Sequence, residues 1–204
     1  MTTTRRLDHP RIQSFIAHVK SECKSARIKV ELRQVKYLRL GQGMNCSGYF
    51  DEANRKLVVA MLNPVAIEVL VHEFGHFTQW IEKILIWKQA GFAMGHIEEW
   101  LSGKPKRNIK KWMALSRDLE LDNEKRSVQL IKDFNLPINT RKYTQSANAY
   151  VLFYNWMLTS RKWCKPGNTP YSNKTILNAC SSKFNMRYDQ LSAKMQSAFE
   201  LSGI

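Results

Sequence analysis

Acidic residues are scarce in this sequence. Its 204 residues hold 17 Asp and Glu against 32 Lys and Arg, a formal charge of +15 and a pI near 9.8. Such a field attracts polyanions: nucleic acid, anionic lipid headgroups or acidic segments of a protein substrate. The basic residues are scattered, and the densest run is Lys104, Lys106, Arg107, Lys110 and Lys111. Cysteine is scarce too. Cys23, Cys46, Cys164 and Cys180 lie far apart with no CxxC pair, which excludes a zinc ribbon and a dense disulfide framework. Thiols in a reducing cytoplasm are the simpler reading. No stretch approaches the roughly 18 apolar residues of a membrane span, so no membrane partner is expected. The start, MTTTRRLDHPRIQSF, has basic residues but no apolar segment behind them, so no signal peptide is expected and the location is read as cytoplasmic. Internal repeats and low-complexity segments are also missing.

What remains is an ordinary globular composition, 44% apolar and 24% charged. The length fits one domain, or a core with a helical appendage. Ile12, Phe15, Ile16 and Val19 recur at helical spacing behind Pro10, predicting a helix over Pro10 to Cys23. Ile28, Val30 and Leu32 alternate with Lys29 and Glu31, the period of a strand. A Gly-rich stretch, Gly41 to Gly48, leads to Tyr49-Phe50. A polar turn from Asp51 to Lys56 then joins these to Leu57 through Leu62 as a hairpin. Asn63 and Pro64 read as the cap and first position of a long helix running to about Lys88. Further helices are predicted over Ile109 to Phe134, Thr144 to Trp163 and around Leu191, Met195 and Phe199, with a short one between Gly91 and Asn108. The expected fold is α+β: a small sheet packed on the first long helix and on a Glu-bearing helix, followed by a mostly helical part. A soft boundary near Pro137 divides residues 1–136, the core, from 137–204, a helical extension expected to pack on it.

Residues 72 to 76 read His-Glu-Phe-Gly-His, an HExxH motif. Residues four apart on a helix lie about 40° apart around the axis and about one turn along it. Both imidazoles can therefore reach one metal ion, with Glu73 beside them to handle a water. Val65, Val69, Trp80 and Ile84 share the arc of His72, Glu73 and His76, whereas Glu68, Thr78, Gln79 and Glu82 mark the opposite, solvated arc. A carboxylate on the apolar arc is costly unless it is paired or near a cation, which favours a metal over two chance surface histidines.

A third ligand must come from elsewhere. Gln79 and Glu82 stand where the metzincin pattern needs Gly and His, so that class is excluded. The segment Arg117 to Lys125 offers four carboxylates. Helical projection puts Asp118 and Asp122 with Lys125, Gln129 and Lys132 on a wet side. Glu120 and Glu124 fall with Val128, Ile131 and Phe134 on a dry one. We assign Glu120 as the third ligand and Glu124, one turn later, to orienting a ligand histidine. The projection leaves the reverse assignment open.

His72 to His76 followed by a Glu on a later helix resembles the gluzincin branch of the zincin metallopeptidases. With the strand-turn-strand before it and the short length, the chain is similar to the compact ImmA/IrrE-type peptidases and small phage-encoded relatives. The resemblance covers about residues 28 to 134. In those families an E-x-(A/N/D) segment supplies the ligand, matched loosely by Glu120-Leu121-Asp122. The family's ExxxD is Glu120-xxx-Glu124 here. The resemblance implies a hydrolase with one Zn2+, in which Glu73 is the catalytic base for a metal-activated water attacking a peptide bond of a protein substrate. The strand over Leu57 to Leu62 would offer an edge to that substrate. His96, Tyr143, Tyr150 and Tyr154 are candidate oxyanion donors by type. Rival readings are a nucleic-acid-associated SprT-like protease and a zinc-binding interaction protein that has lost catalysis.

Overall fold

The computed structural model describes residues 7–40, 45–165 and 167–204. Residues 41–44 of the Gly-rich stretch, and Pro166, lie outside them. The chain forms two compact units, and neither is one continuous stretch. The first comprises residues 1–83 and 126–138, the second 84–125 and 139–204. The sequence reading drew a single boundary after 136 instead. One helix, residues 109–133, runs through both units, so periodicity along it carries no sign of the division.

The first unit opens with α1 (Pro10–Ser25), Pro10 sitting in the first turn where a missing N–H costs nothing. Then come β1 (Lys29–Arg33), β2 (Leu38–Arg39), β3 (Asn45–Cys46), β4 (Gly48–Asp51) and β5 (Lys56–Ala60). The sheet order is β1-β5-β4, with β5 parallel to β1 and antiparallel to β4; β2 and β3 form a separate antiparallel pair. β5 is thus the middle strand, and Leu57, Val58, Val59 and Ala60 are completely buried. An edge offered by Leu57 to Leu62 is corrected by this order: a near-continuous apolar run suits a strand flanked on both sides. Among the described residues, β1 and β4 are the outer strands of that sheet.

Helix α2 (Ala66–Ile81) packs on β4 and β5. It starts two residues later than predicted, because Asn63 Oδ1 accepts from the Val65 amide at 3.0 Å and closes a turn before the helix. It also ends early. The Glu82 amide caps on Thr78 O, Lys83 takes a left-handed φ of 53°, and α3 (Leu85–Ala90) begins anew, so the single long helix is two. Phe15 of α1 meets Phe74 at 5.9 Å and Phe134 at 5.1 Å between ring centroids. Phe74 in turn stacks on Phe77 at 5.3 Å. Phe15, Phe74 and Phe77 are almost wholly buried, and each such side chain contributes about 1.5–3 kcal/mol.

The second unit holds α3, α4 (Ala93–Leu101), the first part of α5 (Ile109–Asp133), α6 (Thr140–Ser160), α7 (Lys174–Ala179) and α8 (Ala193–Ser202). Helix α6 begins four residues before the predicted Thr144, since Asn139 accepts from the Lys142 amide and caps it. It stops at Arg161, whose left-handed φ of 50° ends it. Val151 through Met157 are buried and build a core with Ile97, Met113, Ile176, Met195 and Phe199. The aromatic stretch from Val151 to Met157 is therefore core. The architecture is α+β and mostly helical. No helix among the described residues is long and apolar enough to cross a membrane.

Candidate metal centre

His72 and His76 sit one turn apart on α2, ring centroids 4.8 Å apart and planes at 88°. Both are half-buried. The α2 surroundings differ from the two-arc projection. Ala66, Ile67, Leu70, Val71, Phe74 and Phe77 are buried on several sides of the helix, and Gln79, placed on the solvated arc, is 0% exposed. Val65, placed on the apolar arc, is 46% exposed. The cause is that sheet strands cover one side of α2 and α1 another, so no single stripe describes it.

Gln79 has a role that sequence reasoning missed. Its Oε1 lies 2.9 Å from His76 Nδ1. An amide oxygen only accepts, so Nδ1 carries the proton and Nε2 is left with its lone pair for a metal. The available signal was spacing: Gln79 follows His76 by three residues, near enough on a helix to touch.

Glu73 is 8% exposed, on the sheet side of α2. Gly48, at the start of β4, comes so close that a Cβ there would lie 3.2 Å from Glu73 Cγ and 2.5 Å from Val69 Cγ1. Cys46 is a second neighbour. Burial and then the charge of Glu73 push its thiol pKa upward, away from a reactive thiolate. All four cysteines are free.

Helix α5 carries the carboxylates. Its C-terminal part is fixed inside the first unit: Arg126 Nη1 donates to Glu82 Oε2 at 2.7 Å and reaches Thr78 Oγ1 at 3.4 Å, while Phe134 packs on Phe15. Glu120 is 8% and Glu124 5% exposed, whereas Asp118 and Asp122 are only half-buried and Lys125, Gln129 and Lys132 exposed. Asp118 pairs with Arg117 at 2.7 Å.

His72, His76 and Glu120 each offer one ligand atom, and these atoms lie within 4.8 Å of one another. Zinc bonds of about 2.0–2.2 Å set tetrahedral ligands roughly 3.4 Å apart, a spacing that this group approaches. Two neutral imidazoles and a carboxylate suit a divalent ion of borderline softness. The group can hold a metal ion, and Glu124, though buried, is not part of it.

Two tyrosines of α6 register the carboxylates. Burial, then the negative charge of Glu120, raises the pKa of both Tyr150 and Tyr154; Glu124 adds a smaller push on Tyr150. Their hydroxyls are 3.4 Å apart. Both stay neutral phenols at ordinary pH and so remain hydrogen-bond donors. His96, by contrast, stacks on Trp112 at 4.6 Å, and Tyr143 is half-buried in α6. Comparison of the chain with protein-family models, with curated protein sequences and with solved structures returned no match.

Proposed function

We propose that the protein is a zinc-dependent metallopeptidase hydrolysing peptide bonds of a protein substrate, with Glu73 as general base. The observation that supports this reading is the grouping of His72, His76 and Glu120 with Glu73 on the turn between the two histidines. Zinc, when bound, supplies Lewis acidity toward a carbonyl and acidifies a water. Glu73 then takes the proton from the attacking water and delivers it to the leaving amine. Its burial under β4 keeps bulk solvent out of that exchange. The Nδ1–H of His76 held by Gln79 fixes the ring that presents Nε2. Tyr150, half-buried and kept neutral beside Glu120, is the donor assigned to the developing oxyanion. β4, an outer strand next to Glu73, is the strand assigned to meet an extended substrate.

Glu73→Gln separates an enzyme from a zinc-binding scaffold. The variant should fold and keep its zinc but cleave a peptide library about 10² to 10⁴ times more slowly than wild type. Zinc-loaded wild type that cleaves no peptide or protein, indistinguishable from Glu73→Gln, would overturn the peptidase reading. Loss of zinc in the variant would make Glu73 a ligand and require another base.

A further inference from the structure

Two long stretches of the second unit carry no acidic residue at all: 100 to 117, and 139 to 188. The first holds the densest basic run, Lys104, Lys106, Arg107, Lys110 and Lys111. The second holds Arg161, Lys162 and Lys165 just past the end of α6. In sequence these runs are about fifty residues apart and look unrelated.

The fold joins them. Arg161 Nε donates to Trp100 O at 3.0 Å and its Nη2 reaches Lys104 O at 3.4 Å, while its guanidinium lies 5.0 Å from the centre of the Trp100 ring. The carboxylate of Glu99 takes both Lys104 and Lys106, and Glu98 is exposed next to it. Lys104, Arg107, Lys110, Lys111, Lys162 and Lys165 are exposed. Aromatic rings are interleaved with them. Trp163 stands between Lys162 and Lys165, 44% exposed, with its ring edge-on to buried Phe153 at 5.7 Å. That anchoring leaves a flat surface held in place at the protein's exterior.

We propose that this face of the second unit binds single-stranded nucleic acid, its lysines and arginines tracking phosphates and Trp163 stacking on a base. A run of exposed cations that outnumbers the acids bordering it matches a polyanion of regularly repeated charge. An interleaved exposed Trp is what a stacking platform adds for unpaired bases. An anionic membrane fits less well. A surface that inserts into lipid needs apolar side chains beside its cations. Within the basic runs themselves, residues 104–111 and 161–165, the exposed large apolar side chain is Trp163; Leu85, Phe92, Met94, Tyr171 and Leu201, the others exposed in this unit, lie outside them. The inference stands independently of the metal centre and is tested on metal-free protein.

Fluorescence anisotropy with labelled oligo(dT), repeated across salt concentrations, reads the binding. Alanine at Arg107, Lys110 and Lys111 together should weaken it at least tenfold and flatten the log-affinity against log-salt slope by about 0.7 for each phosphate no longer neutralised. Alanine at Lys20, Lys24 and Lys132 removes the same charge from the first unit and should leave the affinity within about twofold. Trp163→Ala should cost roughly 5- to 100-fold on the single strand and little on a matching duplex. If a variant fails to fold, acetylation footprinting of wild type serves instead: oligo(dT) should protect Lys110, Lys111, Lys162 and Lys165 but not Lys20 or Lys24. The proposal is overturned if wild type ignores oligo(dT) at low salt, or if both triple variants lose affinity equally. Footprinting without protection at the face overturns it too, as does binding to phosphatidylglycerol vesicles but not to oligo(dT). Equal losses by Trp163→Ala on strand and duplex would overturn the single-strand assignment.

Discussion

His76 and Gln79 illustrate how one polar contact settles the state of a ring. A neutral imidazole has two tautomers, and only one leaves Nε2 free to bind a metal. The 2.9 Å contact to a completely buried amide oxygen selects it. Removing the oxygen in Gln79→Ala should therefore lower zinc affinity about 10- to 100-fold without removing a ligand. Glu120→Ala should cost considerably more, because two imidazoles alone hold zinc weakly. Asp122→Ala, on the half-buried side of the same helix, should stay within a few fold. Competition with a chromogenic chelator measures all three. An Asp122→Ala protein that loses zinc while Glu120→Ala keeps it would reverse the assignment of the third ligand.

At the scale of elements, the close approach of β4 to α2 depends on a missing side chain. A Cβ at Gly48 would meet Val69 Cγ1 at 2.5 Å, Val58 O at 3.1 Å and Glu73 Cγ at 3.2 Å. Val69 can turn about χ1 only at some cost, and the Val58 carbonyl is backbone of β5, the strand paired with β4. Gly48→Ala should push β4 away from α2 or displace Glu73. We expect a loss of about 1–3 kcal/mol in stability, the usual cost of overpacking. Under the peptidase reading, activity should fall further than stability explains, since Glu73 itself is displaced. Urea unfolding and peptide cleavage on the same preparation separate the two effects. A Gly48→Ala protein as stable and as active as wild type would mean that strand and helix can part without cost.

For the whole molecule, a ligand that binds only the folded chain raises its stability by mass action. Under the proposed zinc reading, zinc at about 100 times its dissociation constant should add about 2.7 kcal/mol. In a chain of this length that corresponds to a rise in Tm of roughly 5–10 °C. Calorimetry with and without chelator tests this, and His72→Ala should abolish the shift. A shift that persists in His72→Ala would place the metal at other residues.

The sequence by itself determined whatever depends on near neighbours along the chain. Spacing put His72, Glu73 and His76 on one helical turn, and projection separated buried Glu120 and Glu124 from the wetter Asp118 and Asp122. Alternation marked β1, and the polar turn marked the hairpin of β4 and β5. Those signals are local, because backbone geometry repeats every two or 3.6 residues. The tertiary structure decided what needs partners distant in sequence. It made β5 central and β4 an edge, turned Gln79 inward, and broke the helix at Lys83 through a left-handed residue that no Gly or Pro announced. It also brought Arg161 to Lys104 and drew a three-residue donor group from two helices. Burial of one face says that something covers it, not what does, and that identity is fixed only when the chain closes on itself.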